Sequence, residues 1–150
     1  MMAPTAIEAQ TSGIVRTSFP AKPAEISKQL TALRGTFGER GLNDTLGDRV
    51  TLVLGEVLNN IVEHALSNHD SPILLEVTQV AGRVHVQTED AGLALPSKLL
   101  GAVSLPDMGS TVEDLPESGF GWFIIHALVD DMVYERHDGR NRLSFSFVAA

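Results

Sequence analysis

Hydrophobic periodicity switches repeatedly along the chain, and each switch marks an element. Ile14 to Phe19 alternates weakly and predicts a first strand, ended by Pro20 and Pro23. From Ala24 to about Arg40, Ile26, Leu30, Leu33 and Phe37 recur at helical spacing, and Gly41 closes the helix. Asn43 or Asp44 can cap a second helix that runs to about Asn68. Two strands follow, Ile73 to Val80 and Arg83 to Glu89, joined by a tight turn at Ala81-Gly82. Leu93 to Glu117 has no clear period and carries Pro96, Gly101, Pro106, Gly109 and Pro116. Loops beyond about 12 residues are uncommon in compact domains, so this segment is a candidate lid. A third helix starts at Ser118 with Phe120, Phe123, Ile124, Ala127 and Leu128 on one stripe. A closing hairpin pairs Met132 to Arg136 with Arg142 to Val148 across Asp138-Gly139.

Strands joined by short turns are antiparallel, and helices of this pattern need one sheet face to cover. The expected class is α/β (α+β), a two-layer sandwich of a mostly antiparallel mixed sheet with helices on one face. Residues 1–12 are small and polar and read as a flexible tail, and residues 13–150 as one domain. Cysteine is absent, which removes disulfides and thiolate metal sites. The start lacks a basic and apolar leader, and the greasy run from Trp122 to Val129 is too short to span a bilayer. A soluble cytoplasmic protein without membrane contact is therefore expected. The net charge of −8, with Lys and Arg scattered, disfavours direct nucleic-acid binding. A protein or small-molecule partner is the better expectation.

Chemistry concentrates in three places, the first being GEVLNNIVEHAL, Gly55 to Leu66. At about 100° per residue, Glu56, Asn59, Asn60, Glu63 and His64 share one side of the helix, opposite Leu54, Leu58, Ile61 and Ala65. A solvated helix face would look similar. Asparagine, however, is a mediocre helix former, and two stand side by side in mid-helix. Glu56 and Asn60 are one turn apart, so a carboxylate and an amide oxygen can act on one bound group. An amide oxygen suits Mg²⁺, and a carboxylate left off the metal can accept a proton from an attacking hydroxyl.

The second place is RVHVQTEDAG, where Asp90 has the parity of Val84 and Val86 and so aims inward at a strand end. Buried carboxylates need donors. Asp90 is either a turn residue serving the reversal before Gly92 or an acceptor for the exocyclic amine of a purine, with Gly92 clearing space for the base. The third is LPESGFGWFIIHAL, in which Ser118 can cap a helix whose first turn holds Gly119 and Gly121. Two glycines there fit either a hinge with close packing or a phosphate approaching the helix N-terminus. The chain has neither a Rossmann fingerprint nor a GxxxxGK[ST] loop.

Together, in this order, EVLNNIVEHAL, EDAGLALP, ESGFGWFIIHALVDDMVYE and DGRNRLSFSF resemble the N box, the two glycine boxes and the closing hairpin of the GHKL ATPase superfamily. Within it the chain is similar to the anti-sigma factor serine/threonine kinases of partner-switching systems. The resemblance implies the Bergerat, histidine-kinase-like ATPase fold, with ATP and Mg²⁺ as cofactors. It implies that Glu56 is the catalytic base, that Asn60 ligates Mg²⁺, and that Asp90 and Gly92 hold adenine. Ser118, Gly119 and Gly121 are then placed at the phosphates, and His64 beside the nucleotide or, equally, in packing. Ala94 and Glu117 depart from the pattern, Ala94 standing where the first glycine box often repeats glycine and Glu117 where some relatives carry a basic residue. The implied function is phosphorylation of a STAS-type anti-anti-sigma protein together with sequestration of a sigma factor or equivalent regulator, in a homodimer. The alternative is a non-catalytic ATP-sensing, protein-binding module of the same fold.

Overall fold

Strand parity decides which side of the sheet is buried. On β2 (Pro72–Val80) Ile73, Leu75 and Val77 point inward, and on β3 (Arg83–Asp90) Val84, Val86, Thr88 and Asp90 do. Leu143, Phe145 and Phe147 do the same on β5 (Arg140–Val148). The other strands are β1 (Thr11–Pro20) and β4 (Asp131–His137), and the helices are α1 (Pro23–Glu39), α2 (Asp44–Ala65) and α3 (Glu117–Leu128). The computed structural model describes residues 11–65, 71–95 and 117–148, without the side chains of residues 11, 12, 64, 65 and 117–120.

The strands order as β1-β2-β3-β5-β4, and every pairing is antiparallel. β2 with β3 and β4 with β5 are hairpins joined by tight turns, whereas α1 and α2 lie between β1 and β2, and α3 and β4 between β3 and β5. The two tight turns carry positive φ at both central residues, 48° and 77° at Ala81-Gly82 and 52° and 74° at Asp138-Gly139. This is the backbone twist that two-residue hairpins require, and glycine at the second position adopts it without strain.

The core lies between the inward sheet face and the helices, where Leu33 and Phe37 of α1, Val50, Val53, Leu54, Val57 and Leu58 of α2, and Trp122 and Ile125 of α3 are buried. The expected two-layer arrangement with helices on one face is what forms. Observed elements extend the expected ones by a few residues. Thr11 and Ser12, assigned to the tail by composition, already pair with Val80 and Gln79, while residues 1–10 lie outside the described residues. Residues 66–70 and 96–116, which include the expected end of the second helix and nearly all of the candidate lid, lie outside them too. Among the described residues no helix is long and apolar enough to cross a membrane.

One difference concerns α3. Its core face is Trp122 and Ile125, with Leu128 and Val129 packed alongside, whereas Phe123 and Ile124 are half-buried and Ala127 is exposed. A helix apolar nearly all round gives periodicity nothing to choose by, so the expected stripe sat off the buried one.

Asn43 caps α2: its Oδ1 accepts from the Thr45 and Leu46 N–H groups at 2.9 and 3.2 Å. Replacing Asn43 by alanine should cost about 1 kcal/mol, since a capping amide lost to alanine costs that much. For a domain of this size that lowers Tm by about 3 °C, readable by thermal denaturation followed by circular dichroism.

Candidate active site

Midway along α2, the polar stripe divides by depth. Asn60 is 4% exposed and Glu56 half-buried, while Asn59 and Glu63 face solvent. The first pair is therefore set apart from an ordinary solvated face. Asn60 Nδ2 donates to the Glu56 backbone carbonyl at 2.7 Å, one turn back. A carbonyl can only accept, so this bond fixes which end of the amide is which. Asn60 Oδ1 is consequently turned the other way, buried and without a hydrogen-bond partner. Natural proteins seldom leave such an acceptor unused unless a ligand, ion or water meets it. A hard, neutral oxygen held in place is the donor type that Mg²⁺ takes, so the residues present fit that ion.

The glycine-opened helix closes on the same two side chains. A Cβ built on Gly121 of α3 would stand 2.7 Å from Glu56 Oε2 and 3.5 Å from Asn60 Nδ2. Only glycine lets α3 approach the Glu56 carboxylate this closely. That carboxylate takes no hydrogen bond or ion pair from the described residues. Two of the three places singled out in the sequence thus meet around one acidic group. Gly119 lies in the first turns of α3, whereas the side chains of Ser118 and His64 are outside the described residues, as is that of Glu117.

The third place forms at the end of β3. Asp90 is 8% exposed, and its Oδ1 accepts from the Gly92 N–H at 2.8 Å and from Asn141 Nδ2 at 3.0 Å. The first bond is the turn role weighed for Asp90. It occupies one carboxylate oxygen, while Oδ2 takes no bond from the described residues. Thr88, two residues earlier on the same face, is buried with an unpartnered hydroxyl. Asp90 and Thr88 share the helix-covered side of the sheet with the residues of α2. No hydrogen bond or ion pair among the described residues joins Asp90 directly to Glu56 or Asn60. A cavity of about 410 Å³ on the open face of the sheet, lined among others by Arg16, Leu74, Glu76 and Gln87, includes none of these groups.

Asn141, Tyr134 and Arg136 were not among the residues expected from the sequence. They surround Asp90 and the chain that leaves β3. A signal existed for Asn141, which has the parity of Leu143, Phe145 and Phe147 and is therefore a polar residue aimed inward. The expected last strand began at Arg142, one residue too late to include it.

The class defined here is a two-layer α/β domain in which one helix carries a half-buried carboxylate beside a buried amide, and a second, glycine-opened helix closes on them. The chain belongs to the histidine kinase-like ATPase domain family, whose model matches residues 19–147. It is 24% identical over 135 residues to a serine-protein kinase RsbW of Bacillus cereus strain G9842, an alignment covering 89% of this chain and 84% of the relative. The fold is also that of a chain in the SiaB–SiaC complex of Pseudomonas aeruginosa, with TM-score 0.63 at 16% identity over 94% of this chain and 92% of that one. A Mycobacterium tuberculosis structure of RsbU and RsbW domains matches with TM-score 0.62 at 15% identity, covering 89% of this chain and only 31% of that longer one. The superfamily resemblance carried by the motifs is thus borne out.

Proposed function

We propose that the protein is an ATP- and Mg²⁺-dependent serine/threonine protein kinase that phosphorylates a STAS-type anti-anti-sigma protein and sequesters a sigma factor or equivalent regulator. The observation that carries the reading is the meeting of Gly121 with Glu56 and Asn60, with Asn60 Oδ1 buried and unsatisfied. Relatives named serine-protein kinase RsbW support the reaction class, and the resemblance of the motifs to anti-sigma factor kinases supplies the partners.

In this reading Asn60 Oδ1 would hold Mg²⁺, which would supply charge neutralisation at the phosphates. Glu56, without a partner among the described residues, accepts the proton of the attacking serine hydroxyl. Asp90 Oδ2 takes the adenine amine beside Gly92. The N-terminal turn of α3, with Ser118, Gly119 and Gly121, presents backbone N–H groups to the phosphates. Phosphoryl transfer needs mainly positioning and electrostatic stabilisation, and these groups supply both. The reading includes a homodimer formed through β1, an edge strand of the sheet, and α1.

The test is to mix the purified protein with γ-labelled ATP, Mg²⁺ and a STAS-domain antagonist. Phosphoserine on the antagonist supports the kinase. ATP binding without any transfer would instead favour the ATP-sensing module.

Asn60→Leu separates function from stability. The variant should lose the Mg²⁺-dependent part of its ATP affinity, at least about tenfold, because the ligand oxygen is gone. Its unliganded Tm should hold or rise, since leucine is the better helix former and a buried unsatisfied acceptor disappears. Calorimetric titration with and without Mg²⁺, beside a melting curve, reads both.

A further inference from the structure

Asn141 opens the inward side of β5, lies opposite Asp90 in the strand register and is 3% exposed. Its amide orientation follows from partners that cannot exchange roles. Arg136 Nη1, which can only donate, stands 2.8 Å from Oδ1, and the Tyr134 hydroxyl donates to the same oxygen. The Leu93 carbonyl, which can only accept, lies 2.8 Å from Nδ2, and Nδ2 also donates to Asp90 Oδ1 at 3.0 Å. Turning the amide over would set donor against donor and acceptor against acceptor.

With the Gly92 N–H also on it, Asp90 Oδ1 is filled, and the carboxylate is held in one orientation with Oδ2 as its remaining acceptor. The same cluster holds the chain that leaves β3. Arg136 Nη1 donates to the Gly92 carbonyl at 3.1 Å, and the Leu95 N–H donates to the Tyr134 hydroxyl at 3.2 Å.

We propose that Asn141 is the positioning residue that sets the base preference of the site, by holding Asp90 as a fixed acceptor and fastening it to the segment from Gly92 to Leu95. The inference rests on the nucleotide reading above. A base that presents an exocyclic amine to Asp90 is accepted, and one that presents a carbonyl there sets two acceptors face to face and is refused.

The experiment compares ATP with inosine triphosphate, whose base carries a carbonyl in place of the exocyclic amine and a proton on the adjoining ring nitrogen, by calorimetric titration of the full chain and two variants. Asn141→Asp replaces the donating nitrogen by a carboxylate oxygen about 3 Å from Asp90, which then turns away or takes up a proton. A protonated Asp90 can donate to a carbonyl. ATP affinity should fall about tenfold, the usual scale for a lost hydrogen bond to a charged group, and the preference for ATP over inosine triphosphate should collapse towards unity. Asn141→Ala, which removes the amide without adding charge, should lower the preference in the same direction and serves if the aspartate variant does not fold. A merely structural role would weaken both nucleotides alike. A folded variant with the parent's preference overturns the proposal, as does a parent that binds ATP without discriminating it from inosine triphosphate. A parent that takes up neither nucleotide overturns the nucleotide reading and this proposal together.

Discussion

With Glu56 changed to glutamine, phosphoryl transfer to a protein substrate is expected to fall about 10²–10⁴-fold, the range that a positioned general base contributes. ATP affinity in the presence of Mg²⁺ should stay within about twofold, because glutamine keeps the side chain's size and Asn60 bonds only the Glu56 backbone carbonyl. The carboxylate has no partner among the described residues, so its removal leaves no donor stranded and should not unfold α2. Quenched-flow measurement of labelled phosphoserine, beside nucleotide titration, separates the two effects. An undiminished transfer rate would remove Glu56 from the chemistry and leave the ATP-sensing module as the better reading.

Gly121→Ala should lower transfer about 100-fold while leaving the fold at least as stable. The added methyl would sit 2.7 Å from Glu56 Oε2, closer than carbon and oxygen can approach. The oxygen it meets is the far end of a flexible side chain, so the carboxylate swings aside at small cost. Alanine meanwhile gains about 0.5–1 kcal/mol over glycine within a helix, which offsets that cost. The function of the carboxylate depends on where it points, and a displacement of about 1 Å is enough for a loss of this size. Melting curves and transfer rates on one preparation would reveal the combination. A drop in Tm of several degrees with a proportionate loss of activity would mean that Gly121 serves packing instead.

Much of this arrangement was legible in the sequence, for reasons that differ between elements. The amphipathic α2 announced itself because Leu54, Leu58 and Ile61, all buried, lie opposite the polar stripe, of which Asn59 and Glu63 are exposed while Asn60 is buried. Asp90 was readable from parity alone, since one-residue alternation assigns it to the face of Val84 and Val86. Both hairpin turns were marked by glycine where the backbone requires positive φ. The buried face of α3 was not readable, because Trp122, Phe123, Ile124 and Ile125 are all apolar and the choice among them is made by α2 and the sheet. The Asn141 cluster was hidden for another reason. It joins the end of β3 and the chain after it to residues 39 to 51 positions later, and nothing local shows that Tyr134, Arg136 and Asn141 meet there.

The same contrast separates the glycine of α3 from an ordinary hinge residue. Its sequence position allowed either close packing or a phosphate site, and the approach to Glu56 shows the close packing. Asn60 likewise stood between a solvated amide and a ligand, and burial of its oxygen without a partner decides against the first.

The most direct measurement of the central claim is calorimetric titration of the purified chain with ATP, in the presence of Mg²⁺ and again with the metal chelated. The account predicts saturable uptake of one nucleotide per chain, weaker without Mg²⁺ and weakened again by Asn60→Leu only when Mg²⁺ is present. No heat of binding under either condition, or binding that neither Mg²⁺ nor Asn60 affects, would contradict it.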